Sequence, residues 1–571
     1  MEAPVSQHQS GPKEGENIEK DTPLRIIPLG GLGEIGLNMM VIEYDGSIIV
    51  FDVGLMFPED QMFGIDIVIP NFSYLLERAD RVLGVFLTHG HEDHIGAIPY
   101  LLKEISPPIY GAPLALGLIA EKLREHRLEG AASLIPLTPG VPVTLGPFTV
   151  EPIAMTHSIV DSLAFGITTP AGKVVHTGDF KIDRTPVDGT PFNFRRFEEY
   201  GEMGTLALLS DSTNAERPGE TRSELEVGKA FDLLFPKIDG RIILATFSSN
   251  IHRIQQVVQA AERCGRKVFI SGKSILSNIR IAMELGYLSI SQEIWFSLDE
   301  LDETPDREVV IVTTGSQGEP MSSLFRMATD DHKQIQIKEG DTVILSARVI
   351  PGNEEAISRV INHLFRRGAR VLHERNSNVH VSGHASQEEQ KWMIRTVRPR
   401  YFLPVHGELR QLYAHADLAQ EIGYSKESVL ILEDGEVAEL TERSCRKAGT
   451  IPAGRVYIDG HGVGDVGQVI LKERQHLGSD GLIIVSVGFD RETGKVRLGP
   501  ELRSRGFTFI EASSEIWTEI EETVRRLLPE LEVIAQSGPE GVEIKIQQVL
   551  KKLIMKRLNR RPMIIPIVIR I

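Results

Sequence analysis

The sequence predicts an α/β protein of several domains, and three observations carry that reading. Short β-branched strands alternate with stretches of helical apolar spacing over residues 72–182 and again over 241–367. No apolar run approaches the ~20 residues that a membrane span needs, so these segments must pack against one another. Histidines and aspartates gather where strands end, most densely in Thr88-His89-Gly90-His91-Glu92-Asp93-His94. There a loop held at both ends by rigid elements can aim several side chains at one point.

Composition sets the limits. A chain of 571 residues has room for about three or four domains, and a hydrophobic share of 41% is that of a globular protein. Residues 1–21 are polar and acidic without an apolar stretch, and are expected to form a disordered tail rather than a signal peptide or anchor. Two cysteines, Cys264 and Cys445, cannot build a disulfide framework or a zinc finger, so the cytoplasm is the expected compartment and no membrane partner is implied. The net charge of −17 argues only weakly against a nucleic-acid partner. Binding follows local potential, and bound divalent cations invert that potential where they sit.

Taken in order, residues 24–29 read as a strand, followed by Gly30-Gly31-Leu32-Gly33-Glu34-Ile35-Gly36. This contains the G-x-G-x-x-G fingerprint, but strand, Asp45-Gly46 turn and strand come next, where a dinucleotide site needs a helix. A buried strand at 81–87 leads into the histidine cluster, and 95–105 carries helical spacing. A helix is expected at 113–126, then strands within 141–154 and 163–176. His157 and Asp179 each follow a strand of this series. Imidazole and carboxylate together suit zinc or another first-row divalent ion. His89 and His91 can share one metal, while Asp93 and His94 point toward a second.

Beyond residue 240, strands at 241–247, 267–271, 309–313 and 342–346 alternate with helices at 251–264, 275–285 and 354–367. Gly272-Lys273-Ser274 imitates a P-loop, yet the position five before Gly272 is Lys267 rather than glycine, so no phosphate cradle is formed. The chain breaks at Thr450-Ile451-Pro452-Ala453-Gly454. After it come strands at 481–488 and 508–511, a helix at 515–528 and a basic helix at 551–561 suited to a solvated face, RNA or subunit contact.

The series His89, His91, Asp93, His94, His157 and Asp179 resembles the metallo-β-lactamase fold, an αββα sandwich with a two-metal site. That fold requires one more histidine. The candidate is His406, in Tyr401-Phe402-Leu403-Pro404-Val405-His406-Gly407-Glu408, 227 residues beyond Asp179, so a domain must be inserted between them. Four further motifs resemble β-CASP nucleases, and among these the bacterial ribonuclease J family: Leu209-Ser210-Asp211-Ser212-Thr213-Asn214, Phe247-Ser248-Ser249-Asn250-Ile251-His252-Arg253, Thr314-Gly315-Ser316-Gln317-Gly318-Glu319-Pro320, and His380-Val381-Ser382-Gly383-His384-Ala385-Ser386. The resemblance implies a metallo-β-lactamase domain in two parts, 22–210 and 375–449, an inserted β-CASP α/β domain at 211–374, a linker at 450–465 and a small C-terminal αβ domain at 466–571.

It also implies roles. His89, His91 and His157 would hold one zinc, Asp93, His94 and His406 the other, with Asp179 bridging; manganese or magnesium could stand in for zinc. Asp93 then belongs to the catalytic set together with His384, read as proton donor or phosphate clamp, and Asp211, read as its orienting partner. Ser248, Ser249 and Asn250 at a helix mouth, with His380, Val381, Ser382, Gly383 and His384, would grip the RNA backbone and its 5′ end. The activity implied is hydrolysis of RNA both internally and from 5′ to 3′, favouring 5′-monophosphate ends, in RNA maturation and mRNA decay, by a homodimer or homotetramer joined through the C-terminal domain. Rival readings are a small-molecule ester or thioester hydrolase on the same metal core, an RNA-binding scaffold with a dead site, and a DNA-directed β-CASP nuclease. Separately, Gly64, Asp66 and Asp459 could tie two regions together through a hard cation such as calcium.

Overall fold

The computed structural model describes residues 22–59, 61–319, 321–350, 352–460, 462–507 and 515–571. The tail at 1–21 and the strand expected at 508–511 lie outside the described residues. The chain divides into two compact units, one of 69–455 with the residues up to 56, the other of 57–68 with 456–571.

In the first unit, an eight-stranded sheet runs in the order Cys445–Thr450, Glu436–Leu440, Leu24–Gly30, Met39–Tyr44, Ser47–Phe51, Val82–Phe86, Ile109–Gly111, Leu134–Pro136. It is antiparallel up to Ser47–Phe51 and parallel from there on, because from that point helical crossovers replace hairpins. A six-stranded sheet faces it, in the order Tyr401–Val405, Ala207–Asp211, Gly172–His176, Leu163–Thr169, Phe148–Ala154, Val143–Leu145. The core between the sheets takes Ile26, Ile42, Phe51 and Phe86 from one and Phe165, Ile167, Leu209 and Leu403 from the other. Phe165 sits at its centre, with ring centroids 5.2 Å from Phe51 and 5.8 Å from Phe86. Helices Phe194–Glu202 and Gln387–Val397 cover the far side of the six-stranded sheet through Phe197, Tyr200, Met393 and Val397.

The chain leaves this sandwich at the end of Ala207–Asp211 and returns along Tyr401–Val405, its parallel neighbour, with Asp211 opposite Val405. The excursion between them builds a separate parallel sheet, in the order Trp295–Phe296, Lys267–Ser271, Val309–Thr313, Ile242–Ala245, Thr342–Leu345, Arg370–Leu372. These strands read as unbroken apolar runs because helices such as Ile251–Arg263 and Glu354–Arg366 flank them. The P-loop imitation is a plain helix start, and the Lys273 ammonium pairs on the surface with Glu125 at 2.9 Å.

The second unit packs helices Glu515–Ala535 and Pro539–Leu558 on one face of a sheet ordered Val496–Arg505, Leu482–Phe489, Met563–Arg570. The other face leaves Ile565, Ile567, Ile569, Ile571 and Leu498 exposed.

Several expectations need correction. Helical spacing at 95–105 resolves into two short helices, Glu92–Ile95 and Ile98–Leu101, since the Ala97 N–H donates to the Val53 carbonyl and the Asp93 carbonyl accepts from Asn38, which interrupts the helical ladder. The stretch expected as a linker, 450–465, carries strand Arg455–Asp459 and its antiparallel partner Gly462–Val463. The helix at 515–528 runs on through Pro529 to Ala535, and the basic helix is followed by an isoleucine-rich strand. No helix among the described residues is long and apolar enough to cross a membrane.

Phe165→Ala removes the ring that both sheets share, so it should lower stability by ~3–5 kcal/mol in denaturant titration. A loss under ~1 kcal/mol would show that the sandwich does not depend on this contact.

Candidate metal centre

Four chain segments deliver the site, each by a loop at a strand end. Val82–Phe86 ends in the loop carrying His89 and His91 and the short helix carrying Asp93 and His94. Phe148–Ala154 leads to His157, Gly172–His176 to Asp179, and Tyr401–Val405 to His406. The last turn is tight: His406 has φ of 56°, a left-handed conformation uncommon for a residue with a side chain and often found at functional sites.

All seven expected ligands meet. His89, His91, His157 and Asp179 offer ligand atoms within 4.8 Å of one another, as do Asp93, His94, Asp179 and His406. Asp179 belongs to both sets. Its Oδ2 lies 3.8 Å from His89 Nε2, 3.8 Å from His157 Nε2 and 3.3 Å from His94 Nε2, while Oδ1 lies 3.2 Å from His406 Nε2. A third group joins Asp179 to Asp211 and His384.

Hydrogen bonds behind the ring nitrogens set which atom faces inward. The Asp52 carboxylate accepts the Thr88 hydroxyl at 2.8 Å and stands 2.8 Å from His94 Nδ1. With its proton committed to Asp52, the Thr88 oxygen accepts from His89 Nδ1 at 3.0 Å. His157 Nδ1 donates to the Gly383 carbonyl at 2.7 Å. His406 Nδ1 lies 3.2 Å from the Thr213 hydroxyl, which itself donates to Asp211 at 2.7 Å. Each of these four imidazoles therefore turns an Nε2 lone pair toward the centre.

The donor set fits divalent cations. His89 Nε2 and His91 Nδ1 approach to 2.8 Å, a distance at which two lone pairs repel unless positive charge lies between them. Asp179 Oδ1 and His406 Nε2 are buried with only each other at 3.2 Å, outside good hydrogen-bond geometry, which is costly for groups of this polarity. Burial holds His89 and His157 well below the ordinary histidine pKa and lowers His91 to about 4, so these three rings are neutral ligands at neutral pH. Burial also opposes charge on His94 and His406, but Asp179 and the neighbouring carboxylates outweigh it and hold both well above the ordinary value. The pocket draws positive charge from whatever source is present.

Comparison with known proteins agrees with this geometry. The metallo-beta-lactamase superfamily model matches residues 32–218, the ribonuclease J beta-CASP domain 239–364, the Zn-dependent metallo-hydrolase RNA specificity domain 368–431, and the ribonuclease J C-terminal domain 469–571. Ribonuclease J of Thermus thermophilus is 44% identical over 98% of this chain and 97% of its own. The chain belongs to the ribonuclease J family. Ribonuclease J2 of Bacillus subtilis is 42% identical over 96% of this chain and 99% of its own, and ribonuclease J of Helicobacter pylori is 42% identical over 96% and 80%. A solved protein of unknown function from Enterococcus faecalis shares the fold alone, with a TM-score of 0.52 at 15% identity over 73% of this chain and all of that one.

The remaining expected residues fall into three groups. His384 Nδ1 stands 2.8 Å from Asp211 Oδ2, and its ring centroid is 5.0 Å from that of His157. Ser382 and Gly383 lie against the centre: Gly383 approaches His157 so closely that a Cβ there would sit 2.7 Å from the ring. Val381 is buried, and His380 is half-buried with its Nδ1 closed off from solvent. Ser248 and Ser249 are half-buried at the mouth of helix Ile251–Arg263, where the Asn250 carboxamide oxygen caps the helix by accepting from Arg253 N–H at 3.0 Å. The third group is a correction. Asp66 accepts from Gly460 N–H at 2.8 Å, and Asp459 pairs with Arg474 at 2.5 Å, whose guanidinium also donates to the Phe63 carbonyl beside Gly64 at 3.0 Å. An arginine thus supplies the positive charge that a calcium was expected to bring.

Asp52, Thr88 and Thr213 escaped the sequence reading. Asp52 follows strand Ser47–Phe51 as the ligands follow theirs, with φ of 60°; its place at a strand end was the available signal. Asp52→Asn retains shape but loses the charge behind His94. Metal affinity should fall ~10–100-fold, the usual effect of removing such a support. Competition against a chromophoric chelator measures it, and an unchanged affinity would assign Asp52 to folding alone.

Proposed function

We propose that this protein is a two-metal ribonuclease that hydrolyses RNA phosphodiesters internally and from the 5′ end, favouring a 5′-monophosphate. One observation carries the reading: two four-residue ligand sets share Asp179, and a His384–Asp211 pair stands beside them. Zinc suits the first set, three histidines and a carboxylate, and manganese or magnesium could replace it. When bound, the ions would supply charge to neutralise phosphoryl oxygens and the acidity that makes water a nucleophile at neutral pH.

The chain's own residues do the rest. Asp211 is fully buried; burial alone would raise its pKa, but the facing His384 ring outweighs this and holds the carboxylate ionised. It accepts the Nδ1 proton of His384 and orients the ring, so that Nε2 is the atom that faces a leaving oxygen. Asn214 holds the His384 loop by donating to Ser382 Oγ and the His384 carbonyl, each at 2.9 Å. Ser248, Ser249 and the 380–384 loop offer hydroxyl and backbone donors for substrate phosphate, each such charge-assisted bond contributing roughly 1.5–3 kcal/mol. The size of the inserted domain and the name shared by the relatives both support a polymer substrate.

Self-association through the C-terminal unit, as a homodimer or homotetramer, is supported by the stripe of Ile565, Ile567, Ile569 and Ile571 on its uncovered sheet face. We also propose the cytoplasm as its compartment, a reading supported by its bacterial ribonuclease J relatives.

End-labelled RNA and DNA incubated with the metal-loaded protein test the reading; RNA left intact would overturn it. His384→Ala should keep its metal content and slow cleavage by ~10²–10⁴, the usual contribution of acid–base catalysis; a parent-like rate would remove His384 from the chemistry. Of three RNAs differing only at the 5′ end, the monophosphate should be degraded fastest from that end, whereas internal cleavage should be indifferent to it. Equal rates would mean that the two polar loops do not read the terminus.

A further inference from the structure

The motif Thr314-Gly315-Ser316-Gln317-Gly318-Glu319-Pro320 and the residues after strand Thr342–Leu345 have no part in the site as described so far. Gln317 is 3% exposed, and both ends of its amide are used. Nε2 donates to the Arg348 carbonyl at 2.6 Å, and Oε1 accepts from Ile350 N–H at 2.8 Å. One buried amide therefore clamps the backbone on both sides of Val349 and fixes where the Arg348 side chain starts. The Arg348 guanidinium donates from Nη1 to Asn214 Oδ1 at 2.8 Å. Asn214 in turn holds Ser382 and His384. Arg348 thus reaches from the inserted domain to the loop that carries the proton-donating histidine.

What Arg348 lacks is an anion. Neither it nor Arg217 forms an ion pair within 4.0 Å among the described residues. Burial first, then the neighbouring cations Arg217 and Arg410, bring the Arg348 pKa down to about 10, with Glu374 opposing them. Arg410 is already committed to Glu216 and Glu408, and the His380 ring is held well below the ordinary histidine pKa by its own burial and by Arg253, Lys181 and Arg348. Two guanidiniums without carboxylates, one of them half-buried and fixed at its base, form a site short of negative charge. A phosphodiester matches it: the planar fork of arginine takes two phosphoryl oxygens at once.

We propose that Arg348, with Arg217 beside it, binds a phosphate of the substrate strand next to the His384 loop, and that the Gln317 motif holds Arg348 in place for this. The proposal rests on the nuclease reading above. The phosphate is either the 5′-terminal one or one within the backbone, and the test separates them.

Full-length, metal-loaded protein is assayed for binding and initial rates with a single-stranded RNA carrying a 5′-monophosphate and with its 5′-hydroxyl twin, over about 50 to 300 mM salt. Arg348→Gln and Arg217→Gln are compared with the parent; Arg217 is exposed, so its variant tests the site even where the other fails to fold. Each should raise KM about 3–10-fold with kcat within about 2-fold, and should lower the slope of log affinity against log salt by ~0.7, the share of one single-strand phosphate contact. An effect confined to the monophosphate RNA identifies the terminal phosphate; an equal effect on both identifies an internal one. An unchanged KM and slope in folded variants would overturn the proposal, as would a fall in kcat with an unchanged slope, which would make Arg348 only a prop for the His384 loop. Parent protein that neither binds nor cuts RNA would sink the nuclease reading itself, a result separate from anything the arginine variants show.

Discussion

The carboxylate of Asp179 is 3% exposed and lies within 4 Å of five histidines. An isolated charge buried this way would neutralise itself or unfold its surroundings. Here, without cations, His94 and His406 must carry the compensating protons; with cations, the same rings turn neutral lone pairs inward. Loops from opposite sheets are held together by this single electrostatic demand. The aromatic core beneath them, Phe51, Phe86 and Phe165, gives the loops a rigid floor, so the ligand atoms are placed before any ion arrives.

Topology solves the harder problem of bringing His406 to a site begun at His89. The parallel pairing of Ala207–Asp211 with Tyr401–Val405 lets the chain build a whole second sheet and then return one strand away from where it left. Asp211 and His406 emerge side by side, and Thr213 bonds to both. The insertion costs the site little because its two ends are already neighbours in a sheet. It also places residues of the inserted domain, Arg348 among them, within reach of the His384 loop.

The residues that gather at the candidate centre were legible in the sequence because metal chemistry restricts residue type and strand ends restrict position. His-x-His-x-Asp-His is dense enough to stand out alone, and His157, Asp179 and His406 each follow a strand. Their supports were not legible. Thr88, Thr213 and the Gly383 carbonyl act through atoms that any loop possesses, so only their placement distinguishes them. The linker at 450–465 misled for a related reason: Pro452 and Gly454 signal a break, but pairing of Arg455–Asp459 with Gly462–Val463 is decided by tertiary contact. At Asp66 and Asp459 the sequence showed two acids and could not show that Arg474 would pair with Asp459 and a backbone amide with Asp66.

The glycine run at 30–36 shows what such a motif does when a strand rather than a helix follows it. Gly31 has φ of 93°, and a Cβ there would lie 2.5 Å from Asn38 Oδ1, so the turn can be made only by glycine. Its turn lets Leu32 and Glu34 bridge to Gly407, with Gly33 N–H donating to the Gly407 carbonyl at 2.9 Å. Asn38, at the other end, donates to the Asp93 carbonyl at 3.0 Å and lies 3.1 Å from His94 Nε2. The loop therefore grips the backbone beside His406 with one end and the Asp93–His94 turn with the other. Backbone amides that elsewhere cradle a phosphate are used here to align the second set of residues, in which Asp93 and His94 stand more than 300 residues before His406. Close packing without side chains is the physical property common to both uses, and only the element that follows the glycines, strand or helix, decides between them.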